Sequence, residues 1–486
     1  MSVKRGLLAV VFLVAFVALL AHAGRARSHA SAAAGGTVTL QLDTRHPGPV
    51  FAPGSVGLSI EAFELGSMDL SSEHIRLVRL MRLLGPSVLR IGGNSVDASW
   101  WTSSGEPAPA WTQNTVTPAD LIRLRGLLSA TGWRVLLGVD LGHFEPARAA
   151  DEALYARRIL GSRLLGVELG NEPDDFGKKE RLRASNYGPG EYAAEASAYR
   201  AALTPSGAAL FGPALAQPEW LSALGTTLQT FTGLTLHYYP ASACAGRAPT
   251  STTPESAGSE LLTPGVREEE EAVLAKLVLA GESAGRGVRI GETNAAACTT
   301  SPSAKPLFAS SLWALDWALR ASSHGVQGIS FHGKFGYCAH NSPLCAATQQ
   351  AGREGLLSAA PEFYGLLAAR QLEGGRFVAT KLLGVAPAGL ASFATLAPAG
   401  VVKVALENLD TTGEPQRVAI TGFSGPFGTE ELTGAAISSP ERVSLGQRSV
   451  SPSGSWRAKP LLRSASRQPI LTLAPGSAVI VTLRKR

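Results

Sequence analysis

Cysteine is scarce, with four in 486 residues. No Cys-x-x-Cys occurs, so the usual spacing of a thiolate zinc site is absent. The nine histidines are scattered. No trio of His and acidic residues has metal-ligand spacing, which leaves metal-dependent chemistry and a resident cofactor without support. Ser59 and Ser330 lack the context of a nucleophile elbow. Basic residues outnumber acidic ones by 44 to 38, giving a net charge of +6 and a sequence pI near 9.2. That balance favours anionic partners. Yet there is no dense Lys/Arg block, and several basic residues fall in the first 27 and last 30 positions, so a nucleic-acid partner is not indicated. Charged residues make up 17% and hydrophobic ones 45%, which excludes a disordered chain. Internal repeats are lacking, and only one apolar run is long.

That run lies at the N-terminus. Lys4 and Arg5 precede apolar residues from Gly6 to Leu20, and Ala21-His22-Ala23-Gly24 offers a cleavage site, with a second near Ala34. Residues 1–34 therefore read as a signal peptide. The run is short for a membrane span, and an uncleaved anchor is the alternative. The expected location is secreted, periplasmic or cell-surface, with no stable span in the mature chain. Export makes the cysteines potential disulfides. Four cysteines allow three pairings. Cys338 with Cys345 and Cys244 with Cys298 is the pairing that closes the shortest loop.

Glycine (53) and proline (30) are plentiful and divide the chain into short elements. Residues 35–50 carry one alternating strand at Thr37–Leu42. From 51 to 368, buried strands alternate with helical stretches. The strands begin at Val56, Val88, Val135, Leu164, Ala209, Leu234, Val288 and Gly328. Helix patterns run over Ser72–Leu84, Pro118–Ala130, Tyr192–Leu203, Glu268–Leu279 and Leu307–Ser322. This alternation predicts an α/β fold, a (β/α)8 TIM barrel. Residues 369–486 carry short apolar strands separated by Gly, Pro and Ser clusters, the pattern of a C-terminal antiparallel β-sandwich. The N-terminal strand is expected to pair with it, since chain termini often lie close together.

In a barrel, chemistry gathers at the C-terminal ends of the strands. The predicted ends carry Glu61; Asn94 and Asp97; Asp140 and His143; Asn171 and Glu172; His237, Tyr238 and Tyr239; Glu292 and Asn294; and His332. A polar ligand explains that rim better than a series of solvated loops. Glu172 and Glu292 end the fourth and seventh barrel strands, positions that face each other across the mouth. A retaining glycosidase needs two carboxyls about 5–5.5 Å apart, and an inverting one needs roughly 6.5–9.5 Å.

These stretches resemble a known group. Asn171-Glu172-Pro173 with Glu292 is similar to the 4/7 superfamily of retaining glycosidases (clan A). Within it the chain resembles glycoside hydrolase family 79, the β-glucuronidases and heparanase-like enzymes. The resemblance rests on Leu89–Asp97, Val167–Asp174, Leu236–Tyr239, Ile290–Asn294 and Leu312–Asp316, in the family's order. It implies Glu172 as acid/base, Glu292 as nucleophile, and Asn171 at the sugar's 2-hydroxyl. It also implies Tyr239 beside the nucleophile or sugar, and Gly336 with Tyr337 at the carboxylate of a glucuronic-acid-containing glycan or glucuronide. Lys334 lies close by in sequence. Arg90 has two readings: it keeps Glu292 ionised, or it pairs with Glu168 inside the barrel. Asn94, Asp97 and Glu61 are candidates for sugar hydroxyls, with turn or helix-start caps as the alternative for Asn94 and Asp97. His237 reads as a hydrogen-bonding scaffold. The chain departs from the family in Thr293–Cys298, which lacks the aromatic or glycine run, and in the cysteines around Tyr337. A neutral-sugar relative, or a non-catalytic carbohydrate-binding protein on the same scaffold, are the alternatives.

Overall fold

Each expected barrel strand forms, and all of them are parallel. The computed structural model describes residues 36–67, 70–178, 182–242, 254–297, 307–336 and 342–484. The signal-peptide reading of residues 1–34 lies outside them. Strand β1 (Val38–Asp43) precedes the barrel strands β2 (Val56–Glu61), β3 (Val88–Gly92), β4 (Arg134–Val139), β5 (Leu164–Leu169), β6 (Leu210–Leu215), β7 (Gly233–Tyr238), β8 (Gly287–Thr293) and β9 (Ile329–Gly333). They close in sequence order, with β9 on β2 and β8 between β7 and β9. Strands buried on both faces explain the continuous apolar runs.

Helices α1 (Phe63–Ser67), α2 (Ile75–Leu83), α3 (Pro118–Thr131), α4 (Pro146–Leu160), α5 (Pro189–Leu203), α6 (Glu219–Leu224), α7 (Pro264–Ala284), α8 (Phe308–Ser323) and α9 (Pro361–Arg370) flank the barrel strands. At the start of α3, Asp120 Oδ2 accepts from the amide and the hydroxyl of Thr117 at 2.8 and 2.7 Å, which satisfies the amide of the capping residue. Gly132 ends it in the left-handed region. Helix α8 is buried at every position from 308 to 322, because it packs on α9 and beneath the second sheet. The amides of Phe308 and Ala309 donate to the carbonyls of Ser439 and Ile437. The connection that carries these carbonyls, between two strands of the second sheet, thus supplies acceptors for amides that a helix start otherwise leaves unpaired. Trp313 and Trp317 of α8 are 2% and 0% exposed. Each contributes at most roughly 4–6 kcal/mol of burial by area. No helix among the described residues is long and apolar enough to cross a membrane.

From residue 376 on, the strands are β10 (Arg376–Leu383), β11 (Leu390–Leu396), β12 (Val401–Asn408), β13 (Gln416–Ile420), β14 (Gly425–Thr433), β15 (Ser444–Leu445), β16 (Leu461–Ala465), β17 (Ile470–Leu473) and β18 (Ser477–Arg484). With β1 they form a ten-stranded sheet in the order β15-β14-β18-β12-β11-β10-β1-β13-β17, with β16 on β14. The N-terminal strand joins it as expected, antiparallel to β10. Its other neighbour, β13, is parallel. The expectation of a purely antiparallel sandwich is corrected accordingly: the strands form one curled, mixed sheet. A strand returning from the far end of the chain is free of the hairpin constraint that makes neighbours antiparallel. Its core packs Leu40, Val404, Leu406 and Val481, separately from the larger core between barrel and helices. Within the Ser/Thr/Pro/Gly-rich stretch 242–265, Pro254–Leu261 forms a helix.

Candidate active site

Arg90 organises the site. It lies within β3, is 0% exposed, and points into the barrel lumen. Its Nε donates to Glu168 Oε2 at 2.6 Å. Its Nη1 donates to Glu292 Oε2 and, at 3.3 Å, to Ser59 Oγ. Its Nη2 donates to Asn171 Oδ1 at 2.8 Å and lies 3.3 Å from His237 Nε2. The two readings of Arg90 are therefore both realised, because the planar guanidinium presents donors on three sides. Gly92 makes this possible. A Cβ there would stand 2.5 Å from the Arg90 guanidinium carbon. The next residue, Gly93, has φ +72° and leaves room for the Glu61 carboxylate.

Strand β8 changes register against both neighbours at Gly291–Glu292, a bulge of the kind that re-aims a side chain at a site. It turns Glu292 toward Arg90. Tyr239 Oη donates to Glu292 Oε1 at 2.6 Å, and His332 Nδ1 lies 3.6 Å from Oε2. Burial pushes the Glu292 carboxyl up. The charges of His332 and Arg90 and the Tyr239 hydroxyl outweigh it and hold the group well below the usual range. In return, against the effect of burial, Glu292 raises His332.

Glu172 sits just past β5, in the left-handed region at φ +49°. A non-glycine residue there is strained by about 1–3 kcal/mol, and its amide is tied to Ala214 O at 2.8 Å. His237 Nδ1 lies 3.0 Å from Glu172 Oε1. With Arg90 donating to Nε2, the imidazole proton belongs on Nδ1, aimed at Glu172. His237 thus stands between Arg90 and Glu172. Asn171 is clamped from both ends, since its Nδ2 donates to Asn94 Oδ1 at 2.8 Å.

The other candidates divide. Glu61 lines the same side: its Oε2 accepts from Ser95 N and Oγ at 3.0 and 2.6 Å, and its Oε1 lies 3.7 Å from His332 Nε2. Asp97 is committed to the neighbouring loop, accepting the amides of Leu141 and Gly142 at 2.9 and 2.8 Å. Burial, then the Asp97 charge, push its neighbour Asp140 up to about 9. Gly336 stands just beyond β9, with its carbonyl accepting from Ala346 N at 2.7 Å. Tyr337, Cys244, Cys298 and Cys338 lie outside the described residues, and Cys345 is disulfide-bonded. Trp313 and Asp316 of the fifth resembling stretch face away from the mouth, toward Glu270 and Arg320. Ser59 and Ser95 reach the site through Arg90 and Glu61, and nothing in their sequence context signals it.

Ligand atoms of Glu172, His237 and Glu292 lie within 4.8 Å of one another, a geometry able to hold a metal ion. Linear spacing does not reveal this trio because three strands bring it together. Arg90 already bonds Glu292 and faces His237 there, so a fixed organic cation supplies the positive charge that a metal would bring.

No family model matches the chain, and no curated protein matches its sequence. Solved structures do match its fold. A 4-O-α-L-rhamnosyl-β-D-glucuronidase from Fusarium oxysporum, in complex with Rha-GlcA, superposes with a TM-score of 0.72 at 20% identity, over 92% of this chain and 100% of that one. An α-L-arabinofuranosidase from Thermotoga maritima, in an arabinose complex, gives 0.67 at 14% identity, over 92% and 100%. A family 44 xyloglucanase from Paenibacillus polymyxa gives 0.61 at 11%, over 93% and 100%. The architecture of barrel and curled sheet is therefore a fold that this chain shares with these glycosidase structures.

Proposed function

We propose that the chain is a retaining glycoside hydrolase that removes β-linked glucuronic acid residues, with Glu292 as nucleophile and Glu172 as acid/base. The carboxylate pair carries the reading. An oxygen of Glu172 and one of Glu292 lie within 4.8 Å, a separation suited to direct attack on the sugar and short of the roughly 6.5–9.5 Å that an intervening water needs. Surroundings divide the roles. Glu292 receives Arg90 and Tyr239 and faces His332, so it stays ionised and fixed in direction. Glu172 meets His237 and its side chain is the more exposed, at 17% against 8%. That suits a group that passes a proton to the leaving oxygen and later takes one from water.

In the first step Glu172 protonates the glycosidic oxygen as Glu292 attacks the anomeric carbon. The carbon–oxygen bond breaks and a glycosyl ester forms on Glu292. In the second, Glu172 takes a proton from water, whose oxygen displaces Glu292. Asn171 keeps one Nδ2 hydrogen and one Oδ1 lone pair free of Asn94 and Arg90, enough for a sugar 2-hydroxyl. Charge that develops on the sugar ring strengthens that contact in the transition state.

The glucuronide assignment, and with it kinship to family 79, rests on the five stretches, on the Fusarium structure named as a glucuronidase, and on exposed Lys334 beside Gly336. Structures named for arabinose and xyloglucan keep a neutral sugar as the second reading. Residues 1–34 make the enzyme an exported one. A panel of aryl glycosides with products followed by NMR tests this. Turnover of the β-glucuronide with retained anomeric configuration is expected. Net inversion, or better kcat/KM on a neutral glycoside, contradicts it.

Tyr239→Phe removes one donor from Glu292. A hydrogen bond to a charged group is worth about 1.5–3 kcal/mol, so kcat/KM is expected to fall roughly 10- to 150-fold. The sign of the pH effect follows from the direction of the shift. A depressed carboxyl is ionised at every pH above its folded value, and losing a donor raises that value. The acid limb of kcat/KM therefore moves to higher pH in Tyr239→Phe. A pH–rate profile that only scales down, with its limb unmoved, speaks against Tyr239 acting through Glu292.

A further inference from the structure

Glu64, in helix α1 directly after β2, is 1% exposed. Its two carboxyl oxygens lie 3.1 and 3.3 Å from the amide nitrogen of Phe335, two residues beyond β9. Burying an acid is costly unless it is bonded, and here the bond is to one backbone N–H. The backbone so held is fixed at two more points. Lys334 O accepts from Ser342 Oγ at 3.3 Å, and Gly336 O accepts from Ala346 N at 2.7 Å. Phe335 itself is 2% exposed, while Lys334 is exposed, with Nζ 5.6 Å from the centre of the Phe63 ring. The same two segments carry Glu61 and His332, which meet beside Glu292. Glu64 therefore ties the end of β2 to the end of β9.

We infer that Glu64 is a positioning residue for substrate selection: by gripping the Phe335 amide it fixes the 334–336 backbone, and Lys334 with it, at the edge of the sugar site. This rests on the reading of an anionic sugar given above. The groups facing Glu64 are Glu61, His332 and Lys334. Burial, then the Glu61 charge, push its carboxyl up to about 8 against the Phe335 amide, His332 and Lys334. Below that pH an uncharged acid leaves the field of Lys334 and His332 to a uronate. Above it, an ionised Glu64 opposes an anionic sugar and leaves a neutral one unaffected.

Two variants test this, with kinetics on an aryl β-glucuronide from pH 6 to 9.5 and hydrogen exchange at the Phe335 amide. Glu64→Ala loses the acceptor. It is expected to raise KM roughly tenfold, with kcat within about twofold, and to speed Phe335 exchange. Glu64→Gln keeps an acceptor and cannot ionise. It is expected to rescue KM and exchange at pH 6, and to abolish the rise in KM that the wild type shows as pH passes about 8. A fall in Glu64→Ala confined to kcat, or unchanged Phe335 exchange, overturns the inference. Should Glu64→Ala not fold, a KM rise above pH 8 that persists in Glu64→Gln overturns it instead. A wild type active only on a neutral glycoside removes the glucuronide reading alone. The positioning role then stands or falls on Phe335 exchange and on the KM for that glycoside in Glu64→Ala.

Discussion

Glu292→Ala is expected to lower turnover of an aryl β-glucuronide by at least about ten-thousandfold, whatever the leaving group. Without that carboxylate no glycosyl ester forms, and the first step has no nucleophile. Glu172→Ala is expected to behave differently. An aryl leaving group of low pKa departs with little protonic help, so the first step survives and the ester accumulates. The second step then waits for water without its base. Azide, already an anion, needs no base, and added azide should speed the variant and release a glycosyl azide of retained configuration. An alkyl glucuronide, whose leaving oxygen requires the proton, should show no such recovery. The geometry motivates this contrast: Glu292 is held by Arg90 and Tyr239, while Glu172 is met by His237. The measurements are steady-state rates with and without azide, and NMR of the azide adduct. Azide rescue of Glu292→Ala with retained product, or of neither variant, would reverse or remove the role assignment.

Much of the barrel is legible in the sequence because its physics is local. Apolar runs such as Leu164–Leu169 end at a glycine, and the polar residues after them fall on one rim by topology alone. Glu172 and Glu292 emerge from that rule. Asp97 shows its limit: a carboxyl at a strand tip looks the same in sequence whether it meets a sugar or, as here, the amides of Leu141 and Gly142. Glu64 shows another. One turn beyond Glu61, it reads as an ordinary helix-start acid, and only the closure of β9 onto β2 brings it to Phe335. The parallel pairing of β1 with β13 is equally hidden, since alternation in a strand specifies its faces and says nothing of its neighbour's direction. Arg90 presents the converse case. Its two readings look exclusive in sequence, and the guanidinium geometry makes them simultaneous.

Arg90→Met should therefore separate into two effects. The variant leaves the carboxyls of Glu168 and Glu292 buried, at 0% and 8% side-chain exposure, without their cation. Breaking a buried pair in this way costs about 3–5 kcal/mol, read as a lowered denaturant midpoint. Activity should fall by more than about a hundredfold, because Glu292 loses both a charge-assisted bond and its direction. Adding Glu168→Gln removes one stranded charge. The double variant is expected to recover part of the stability and none of the activity, since Glu168 faces the lumen and Glu292 the substrate. Sign also distinguishes the two. The wild-type Glu292 carboxyl is depressed, so its contribution to stability is fully present above the unfolded value of about 4.3 and fades as pH falls toward the folded one. In Arg90→Met the Glu292 carboxyl loses the guanidinium that helps depress it and takes up a proton more readily, which relieves its buried charge. The stability gap between wild type and variant should thus be widest near pH 7 and narrow toward pH 4. A gap that stays constant over that range would mean that the loss is one of packing around the arginine stem, with the two carboxylates indifferent to the guanidinium.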